Sequence, residues 1–252
     1  MSLAATGAMF GRSLRQVPRV PADVAQALLI PIILFGLNAA QYAAVTQIPG
    51  FPAIEYAAFL LPQIMVWTAF MSANGAGYAL VLETKTGYLD KLILTPVPRT
   101  ALLSGRILAV AVRCAAQVVL IVLLALAVGV RFSAGPVGLL LALVPLALLA
   151  IAWAGFLSFL ALTTRSPEAV EASVILFIPL TFLTTGAMPL HLLPEAFRPF
   201  VLANPVTHIL EGVRGLLMGW DLQAFGTGVV ASAGLAAVWV GAAVWALRRM
   251  DR

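Results

Sequence analysis

Charged residues are scarce in this sequence. They make up 10% of its 252 residues, whereas 62% are hydrophobic, and the mean hydropathy is +1.03. Because soluble domains carry about 25% charged residues, the composition excludes an ordinary soluble domain. It indicates an integral membrane protein.

Cysteine and histidine are also rare. The single Cys114 cannot form an intramolecular disulfide, and its position in an apolar run indicates a small buried side chain. The two histidines, His191 and His208, have no cysteine or carboxylate cluster at metal-ligand spacing. We therefore expect no metal site and no cofactor bound by this chain.

Motifs of several enzyme and carrier classes are missing. No glycine is followed by lysine, which excludes a P-loop, and neither Gly-x-Ser-x-Gly nor His-Glu-x-x-His occurs. Proton-driven carriers usually need an acid within a span, and the nearest candidates, Glu55 and Glu171, stand at the ends of apolar runs. The sequence thus supplies a membrane conduit without an ATP-binding motif to drive it.

Long charge-free runs are what the sequence does contain. A bilayer core of about 30 Å needs about 20 helical residues, so each run can hold one helix. We expect an all-α fold with six transmembrane helices near 25–45, 56–79, 106–129, 137–162, 169–189 and 225–247. The runs show no alternation of polar and apolar residues, which argues against membrane-spanning strands.

Basic residues flank these runs unevenly, which predicts the orientation of the chain. With a cytoplasmic N-terminus, one side of the membrane receives eleven basic residues and the other receives three: Arg131, Arg198 and Arg214. Both termini are therefore expected in the cytoplasm. The pI is near 10, but the arginines form no stripe, which favours membrane lipids over nucleic acid as their partner.

A polar island separates the second and third apolar runs, from Glu83 to Arg106. It holds six of the chain's charged residues, including both lysines. Because it lies between spans, it must be in water, and the orientation makes it the first cytoplasmic loop. The second such loop contains Ser166-Pro167-Glu168, the pattern of a helix N-terminus.

The N-terminal segment carries three arginines, from Arg12 to Arg19, among apolar side chains. On a helix the arginines lie largely on one face, with Phe10 and Leu14 on another, as in a helix at the membrane surface. We expect such an interfacial helix at 8–20; the alternative is a disordered basic tail.

The segment after the fifth span is too long for a simple outer loop and too apolar to lie free in water. Asn204-Pro205 has the pattern of a helix start and Gly219 that of a helix end. Six apolar residues between them recur at helical spacing: Val206, Ile209, Leu210, Val213, Leu216 and Leu217. We expect this stripe on lipid or on neighbouring spans, with Glu211 and Arg214 paired on the polar side. As an exposed pair they would contribute about 0.2–1 kcal/mol, so Arg214→Ala should leave folding intact.

Few polar residues fall inside the spans. Asn38, Gln41 and Asn74 either hydrogen-bond neighbouring helices, which is the commoner role, or line a pathway through the membrane. Arg113 lies two helical turns, about 10 Å, beyond Arg106. We expect it to snorkel to the cytoplasmic interface, with contact to a translocated molecule as the alternative.

Three motifs resemble those of ABC-2 type transporter permeases. They are Glu83-x-x-x-Gly87-x-Leu89-x-x-Leu92-x-x-x-Pro96, Ser166-Pro167-Glu168, and Asn204-Pro-Val-Thr-His-x-x-Glu211-x-x-Arg214-Gly-x-x-x-Gly219. With the six expected spans the resemblance covers the whole chain, and it is nearest to the small daunorubicin-resistance type of half-permease. One departure is Thr84, because members of the family often carry Arg after this Glu.

The resemblance implies a single ABC-2 transmembrane domain over 1–252, a transport subunit and not an enzyme. Such a subunit exports amphipathic drugs or lipid-like molecules through the plasma membrane of a bacterium, as in antibiotic resistance. Two permease chains, identical or sibling, would pair, and separate ATP-binding subunits would carry the ATP and Mg²⁺.

The resemblance also implies roles for particular segments. It makes 83–98 a coupling helix seated on the ATP-binding subunit, with Glu83, Gly87, Leu89, Leu92 and Pro96 as its contacts. It makes 190–220 a set of short outer re-entrant helices that include Asn204, Pro205, Glu211, Arg214 and Gly219.

Two alternatives stay open from the sequence. The same architecture serves exporters of polysaccharide or lipid-linked glycan. From a different class, a membrane enzyme or a non-transporting structural subunit would have a similar composition. An adjacent reading frame that encodes a lone P-loop ATPase would favour the exporter.

The expected topology can be tested by cysteine labelling after replacement of the native Cys114. Because the basic residues divide eleven to three, Thr95→Cys should react with a membrane-impermeant maleimide only from the cytoplasm. Glu195→Cys should react only from outside. Labelling of both positions from the same face would contradict the six-span arrangement.

Overall fold

Every regular element in the described part of the chain is a helix. The computed structural model describes residues 7, 10–11, 21–87 and 99–249, and the side chains of 21–28, 99–102 and 174 are left out. The helices are α1 Pro21–Gln41, α2 Tyr56–Lys85, α3 Arg99–Ala127, α4 Gly135–Thr164, α5 Pro167–Ala172, α6 Val174–Phe182, α7 Arg198–Ala203, α8 Pro205–Gly219 and α9 Leu222–Arg249. Short 3₁₀ helices occupy Ala43–Gln47 and Leu190–Leu192. The expected all-α fold is confirmed over these ranges.

Four helices within the described ranges are long and apolar enough to cross a membrane. They are α2, α3 counted from Leu103, α4 and α9. The apolar part of α1 is shorter, Leu29–Gln41. The expected fifth span is represented by two short helices, α5 and α6.

Helix α2 lies at the centre of the bundle. Of the residues in its most apolar 18-residue stretch, 89% are buried, and it packs against α1, α3 and α4. Gly77 allows the closest approach to α4, because a Cβ there would lie 2.7 Å from the Cβ of Leu157. Small residues serve this purpose in membranes, where helices associate through close packing.

The second helix continues farther than its apolar run predicts. It was expected to end at 79 but extends to Lys85, so that Glu83 lies in its last turn. In this last turn the hydroxyl of Thr84 donates to the carbonyl of Leu80 at 2.9 Å. Gly87 then takes a left-handed conformation, with φ of +66°, after the helix end.

Two expectations fall mostly outside the described residues. Leu89, Leu92 and Pro96 of the coupling segment lie there, and so does most of the interfacial helix expected at 8–20.

The fifth predicted span differs from a single helix over 169–189. It is divided at Ser173, whose hydroxyl donates to the carbonyl of Val170 at 2.6 Å. The amide of Leu176 bonds three residues back, to the carbonyl of Ser173, which tightens the chain at the division.

Helix α6 ends at Phe182 because side chains from elsewhere bind its terminal carbonyls. Gln63 of α2 donates to the carbonyl of Thr181 at 2.9 Å. The amide of Asn204 donates to the carbonyls of Leu180 and Leu183 at 2.9 and 2.8 Å. These bonds satisfy the groups that a continuing helix would otherwise pair.

The turn before α5 has the capping that its sequence predicts. The Ser166 side chain accepts from the amide of Ala169 at 3.3 Å and hydrogen-bonds to the carboxylate of Glu168. The hydrogen bond between Ser166 and the Glu168 carboxylate, together with a backbone hydrogen bond at the helix start, holds the pKa of Glu168 below its usual range.

Helix α8 is packed inside the protein. All six residues of its apolar stripe are at most 1% exposed, and they face α9, α4 and α2. The contact with α9 is close because two glycines meet there: a Cβ on Gly228 would lie 3.3 Å from the Cα of Gly212. The stripe therefore lies on neighbouring helices, one of the two surroundings that its spacing allows.

Candidate functional site

The start of α8 is formed by Asn204 and Pro205, as the sequence predicts. The Asn204 side chain accepts from the amide of Val206 at 3.0 Å, and Pro205 occupies the first helical position. The same Asn204 amide holds the end of α6, so one residue both caps α8 and fixes the segment that precedes it. The helix ends at Gly219, but the left-handed residue that stops it is Trp220, with φ of +55°.

The side chain of Arg214 extends from α8 into the interior, beside α2. It is 8% exposed, and its Cζ stands 3.8 Å from the centre of the Phe59 ring. Its Nη2 donates to the carbonyls of Thr185 at 2.9 Å, Gly186 at 3.3 Å and Phe59 at 3.3 Å. The guanidinium therefore joins three parts of the chain: α8, the turn after α6, and the first turn of α2.

Glu211 supplies the counter-charge. Its carboxylate accepts from Nη1 of Arg214 at 2.6 Å and also from the hydroxyl of Thr185. The Glu211 side chain remains 40% exposed whereas that of Arg214 is 9% exposed. Solvent therefore reaches Glu211, and Arg214 is buried. We call Arg214, Glu211, Thr185, Gly186 and Phe59 the outer clamp.

The expectation of an exposed Arg214 is wrong. The i, i+3 pairing is present, but the arginine points inward, because the turn at 184–186 presents carbonyls that only a buried donor can reach. A buried guanidinium must replace its lost hydration with several hydrogen bonds. The five donated contacts of Arg214 do so at Nη1 and Nη2, whereas its buried Nε has no hydrogen-bond partner among the described residues. Arg214→Ala is therefore not the mild change that the sequence suggests.

A second contact fixes the same turn to α2. The Oε1 of Gln63 accepts from the hydroxyl of Thr184 at 3.2 Å. A Cβ at position 186 would lie 2.0 Å from Oε1 of Gln63, so a larger residue there would displace the Gln63 side chain from its hydrogen bonds. The hydroxyl of Tyr56 donates to the carbonyl of Ala187 at 3.2 Å. The first two turns of α2 thus hold the turn after α6 at several points.

The C-terminal end of α2 carries its own ion pair. Glu83 accepts a hydrogen bond from Nη2 of Arg106 on α3, and the two side chains are 13% and 15% exposed. We call these two residues the inner pair. They lie 23 residues apart in sequence and close the polar island at both ends.

The inner pair also answers the departure at position 84. Members of the family that the sequence resembles often carry Arg directly after this glutamate, and here Thr84 stands there. Arg106 brings the positive charge from α3 instead. Gly87 follows with its left-handed backbone, and no atom of the described residues lies within 4 Å of a potential Cβ there.

The intramembrane polar residues do not gather at one place. Asn74 accepts from the indole of Trp153 at 3.1 Å and so ties α2 to α4. Asn38 donates to the carbonyl of Leu34 in its own helix at 2.7 Å. Gln41 is exposed at the end of α1, and Arg113 is partly buried on α3.

Both histidines bind backbone carbonyls of the outer segments. His191 Nε2 lies 2.8 Å from the carbonyl oxygen of Gly50, and His208 Nε2 lies 3.0 Å from that of Leu202.

Sequence reasoning missed several residues of the outer clamp and of the inner pair. Thr185, Gly186 and Phe59 are ordinary residues in apolar surroundings, and no local pattern marks them as ligands of an arginine. Arg106 carried a weak signal, since it is the basic residue that ends the polar island. Its partner could be assigned only once α2 was known to reach Lys85.

The buried position of Arg214 gives a stability prediction. Arg214→Ala should lower the free energy of unfolding by about 3 kcal/mol, as loss of one partner from a buried pair does. Arg198→Ala is the matched control on the same outer segment. Its guanidinium donates to the carbonyls of Leu193 and His191 but is more exposed, so the loss should be at most about 1 kcal/mol. Unfolding followed in detergent by heat or denaturant measures both, and equal losses would contradict the burial of Arg214.

Comparison with known proteins identifies the family to which the chain is similar. Residues 52–245 match the model of the ABC-2 family transporter proteins. The matched range includes α2 to α8 and most of α9, and therefore both the outer clamp and the inner pair.

Two individual relatives are each less than one-third identical to this chain over the aligned residues. A probable doxorubicin resistance ABC transporter permease protein, DrrC, of Mycobacterium tuberculosis is 29% identical over 160 residues, 64% of this chain and 58% of its own length. The daunorubicin resistance ABC transporter permease protein DrrB1 of Streptomyces coeruleorubidus is 28% identical over 189 residues, 73% of this chain and 66% of its own length. The chain thus spans about three fifths of the first of these relatives. The family model matches more than half of the chain and includes its membrane-spanning helices, so this multi-pass membrane protein belongs to the ABC-2 family of transporter proteins.

Proposed function

We propose that this chain is the permease subunit of an ATP-driven ABC exporter. The family match over 52–245 carries the proposal, and the absence of a P-loop in the sequence agrees with it, because ATP must then be bound elsewhere. ATP and Mg²⁺ would be held by a separate ATP-binding subunit. The chain itself would form the route through the membrane.

In this proposal the chain spans the bacterial plasma membrane six times, with both termini in the cytoplasm. α2, α3, α4 and α9 are four of the spans, and α1 and the α5–α6 pair complete them. The division of basic residues supports the orientation. It places the inner pair at the cytoplasmic face and the outer clamp near the opposite face.

The ATP-binding subunit would dock on the segment between α2 and α3, at 83–98. The inner pair supports this role because it joins the ends of α2 and α3, the two helices that the docking segment connects. Movement of the bound subunit would then pass into α2 and α3 together. Rigid-body movement of helices about an interface is an ordinary way to switch between two states.

A second permease chain would complete the route, as a homodimer or as a sibling heterodimer. Apolar side chains of α1 and α6 stay exposed in the single chain, among them Leu37 at 60% and Ile175 at 72%. Lipid would cover such faces equally well. The exposed side chains therefore support pairing only in combination with the family match. α2 is largely covered by its own chain and offers a partner little besides the region of Tyr78 and Leu82.

The outer segment would close the route on its far side. α8 is held to α2 by the outer clamp, and release of that contact would let the segment 190–220 move relative to α2. The exposed Glu211 carboxylate is the part of the clamp that water can reach. We therefore assign Asn204, Pro205, Glu211, Arg214 and Gly219 to the outer gate.

Amphipathic drugs or lipid-like molecules are the proposed substrates. Two relatives, 29% and 28% identical, carry names that state resistance to doxorubicin and to daunorubicin. The apolar character of the described interior is compatible with substrates of this kind.

The inner pair gives a direct test of coupling. Glu83→Arg or Arg106→Glu alone places two like charges in contact and should weaken co-purification of the ATP-binding subunit roughly tenfold, equivalent to about 1.4 kcal/mol. The double exchange restores an opposite-charge pair and should recover most of the binding. Co-purification and ATP hydrolysis of the reconstituted complex are the measurements.

The permease chain alone serves as the baseline, and it should hydrolyse no ATP. Single variants that bind and stimulate the ATP-binding subunit at the unmodified level would remove the inner pair from coupling. Hydrolysis by the permease free of any partner would contradict the proposed division of labour.

A further inference from the structure

An apolar cavity opens between the helices beside the outer clamp. Its volume is about 520 Å³, and residues of α2, α4, α6, α7, α8 and α9 line it. Small-molecule sites commonly occupy about 300–1,000 Å³. Leu149 at its base is 2% exposed, whereas Leu176 and Phe200 at its rim are 51% and 64% exposed. The cavity therefore has a buried base and a mouth that opens at the surface of the chain.

Aromatic rings form much of the wall. Phe70 meets Trp153 edge-on with ring centres 5.0 Å apart, and Phe156 meets Trp239 edge-on at 4.7 Å. Trp153 and Phe156 are themselves 4.9 Å apart. These contacts form one continuous group of four rings from three helices, and all four line the cavity. Flat ring systems bind such walls through stacked and edge-on contacts.

The lining carries no charged side chain among the described residues. Its one amide side chain is that of Asn204, whose nitrogen and oxygen are already bonded to Leu180, Leu183 and Val206. A charged or strongly polar group would lose its hydration in this cavity without a partner to replace it. The lining chemistry therefore selects an uncharged, apolar group.

The cavity adjoins the segment that the outer clamp holds. Leu180, Leu183 and Asn204–Val206 line it, and Thr185 and Gly186, shortly after Leu183, accept hydrogen bonds from Arg214. An occupant would thus press on the start of α8 and on the end of α6, where the Asn204 amide joins them.

We propose that this cavity binds the uncharged polycyclic ring portion of a transported amphiphile. The proposal rests on the proposed exporter function and names the part of the substrate that the chain recognises. The charged or polar remainder of the molecule stays at the mouth, beside Phe200.

Photolabelling of the full-length chain in nanodiscs tests the site without any ATP-binding subunit. The probe is 1-azidopyrene, an uncharged tetracyclic hydrocarbon, and adducts are located by peptide mass spectrometry. We expect saturable labelling of the segments around Trp153 and Trp239, and excess pyrene should compete with it. An uncharged single-chain lipid, monoolein, should compete poorly.

Two variants and one control sharpen the result. Ala152→Phe fills the cavity and should remove most of the saturable labelling. Trp239→Leu keeps the wall apolar but removes one ring face, so it should weaken binding roughly three- to tenfold, the size of one aromatic contact. Ala237→Phe adds the same ring on an exposed position of α9 and should change nothing.

Labelling that does not saturate and spreads over lipid-facing residues would overturn the proposal. Equal competition by monoolein would overturn it as well, since the cavity would then hold lipid chains. Because the assay contains no ATPase, a negative result leaves the coupling of the inner pair untouched. Conversely, charge-exchange variants that couple at the unmodified level would remove the inner pair from coupling but leave this binding site standing.

Discussion

The buried guanidinium of Arg214 is the interaction on which the outer half of the structure depends. A charge removed from water is costly unless hydrogen bonds and an opposite charge replace its hydration. Arg214 obtains both from Glu211 and from the carbonyls of Thr185, Gly186 and Phe59. Because these groups belong to three separate segments, satisfying the charge requires α8, the turn after α6 and α2 to meet at one point.

Helix α2 connects this point to the inner pair of Glu83 and Arg106 at its other end. It has 30 residues and is therefore about 45 Å long at 1.5 Å per residue. Phe59 of the outer clamp lies in its first turn, and Glu83 of the inner pair lies in its last. The helix therefore forms one continuous path from the inner pair to the outer clamp, with Pro62 inside it near the clamp. The aromatic cavity lies along this path, between Phe70 of α2 and the start of α8.

Local sequence patterns predicted the elements better than their partners. The caps at Ser166 and Asn204 and the apolar stripe of α8 were predictable, because each depends on neighbours within one or two turns. The depth of Arg214 was not, since i, i+3 spacing with Glu211 indicates a pair but says nothing of its surroundings. The pairing of Glu83 with Arg106 and the early end of α6 depend on side chains distant in sequence. Such contacts become visible only once the helices are placed.

Hydrogen–deuterium exchange on Arg214→Lys tests the central claim, that the Arg214 guanidinium fixes the outer segment to α2. Lysine keeps the positive charge and can still pair with Glu211, but it lacks the planar fork that reaches several carbonyls at once. We predict faster exchange at the amides of 183–188 and at the start of α8 in the variant, with α9 unchanged as the internal reference. Identical exchange of 183–188 in the two proteins would contradict the claim, because the turn would then be held without the arginine.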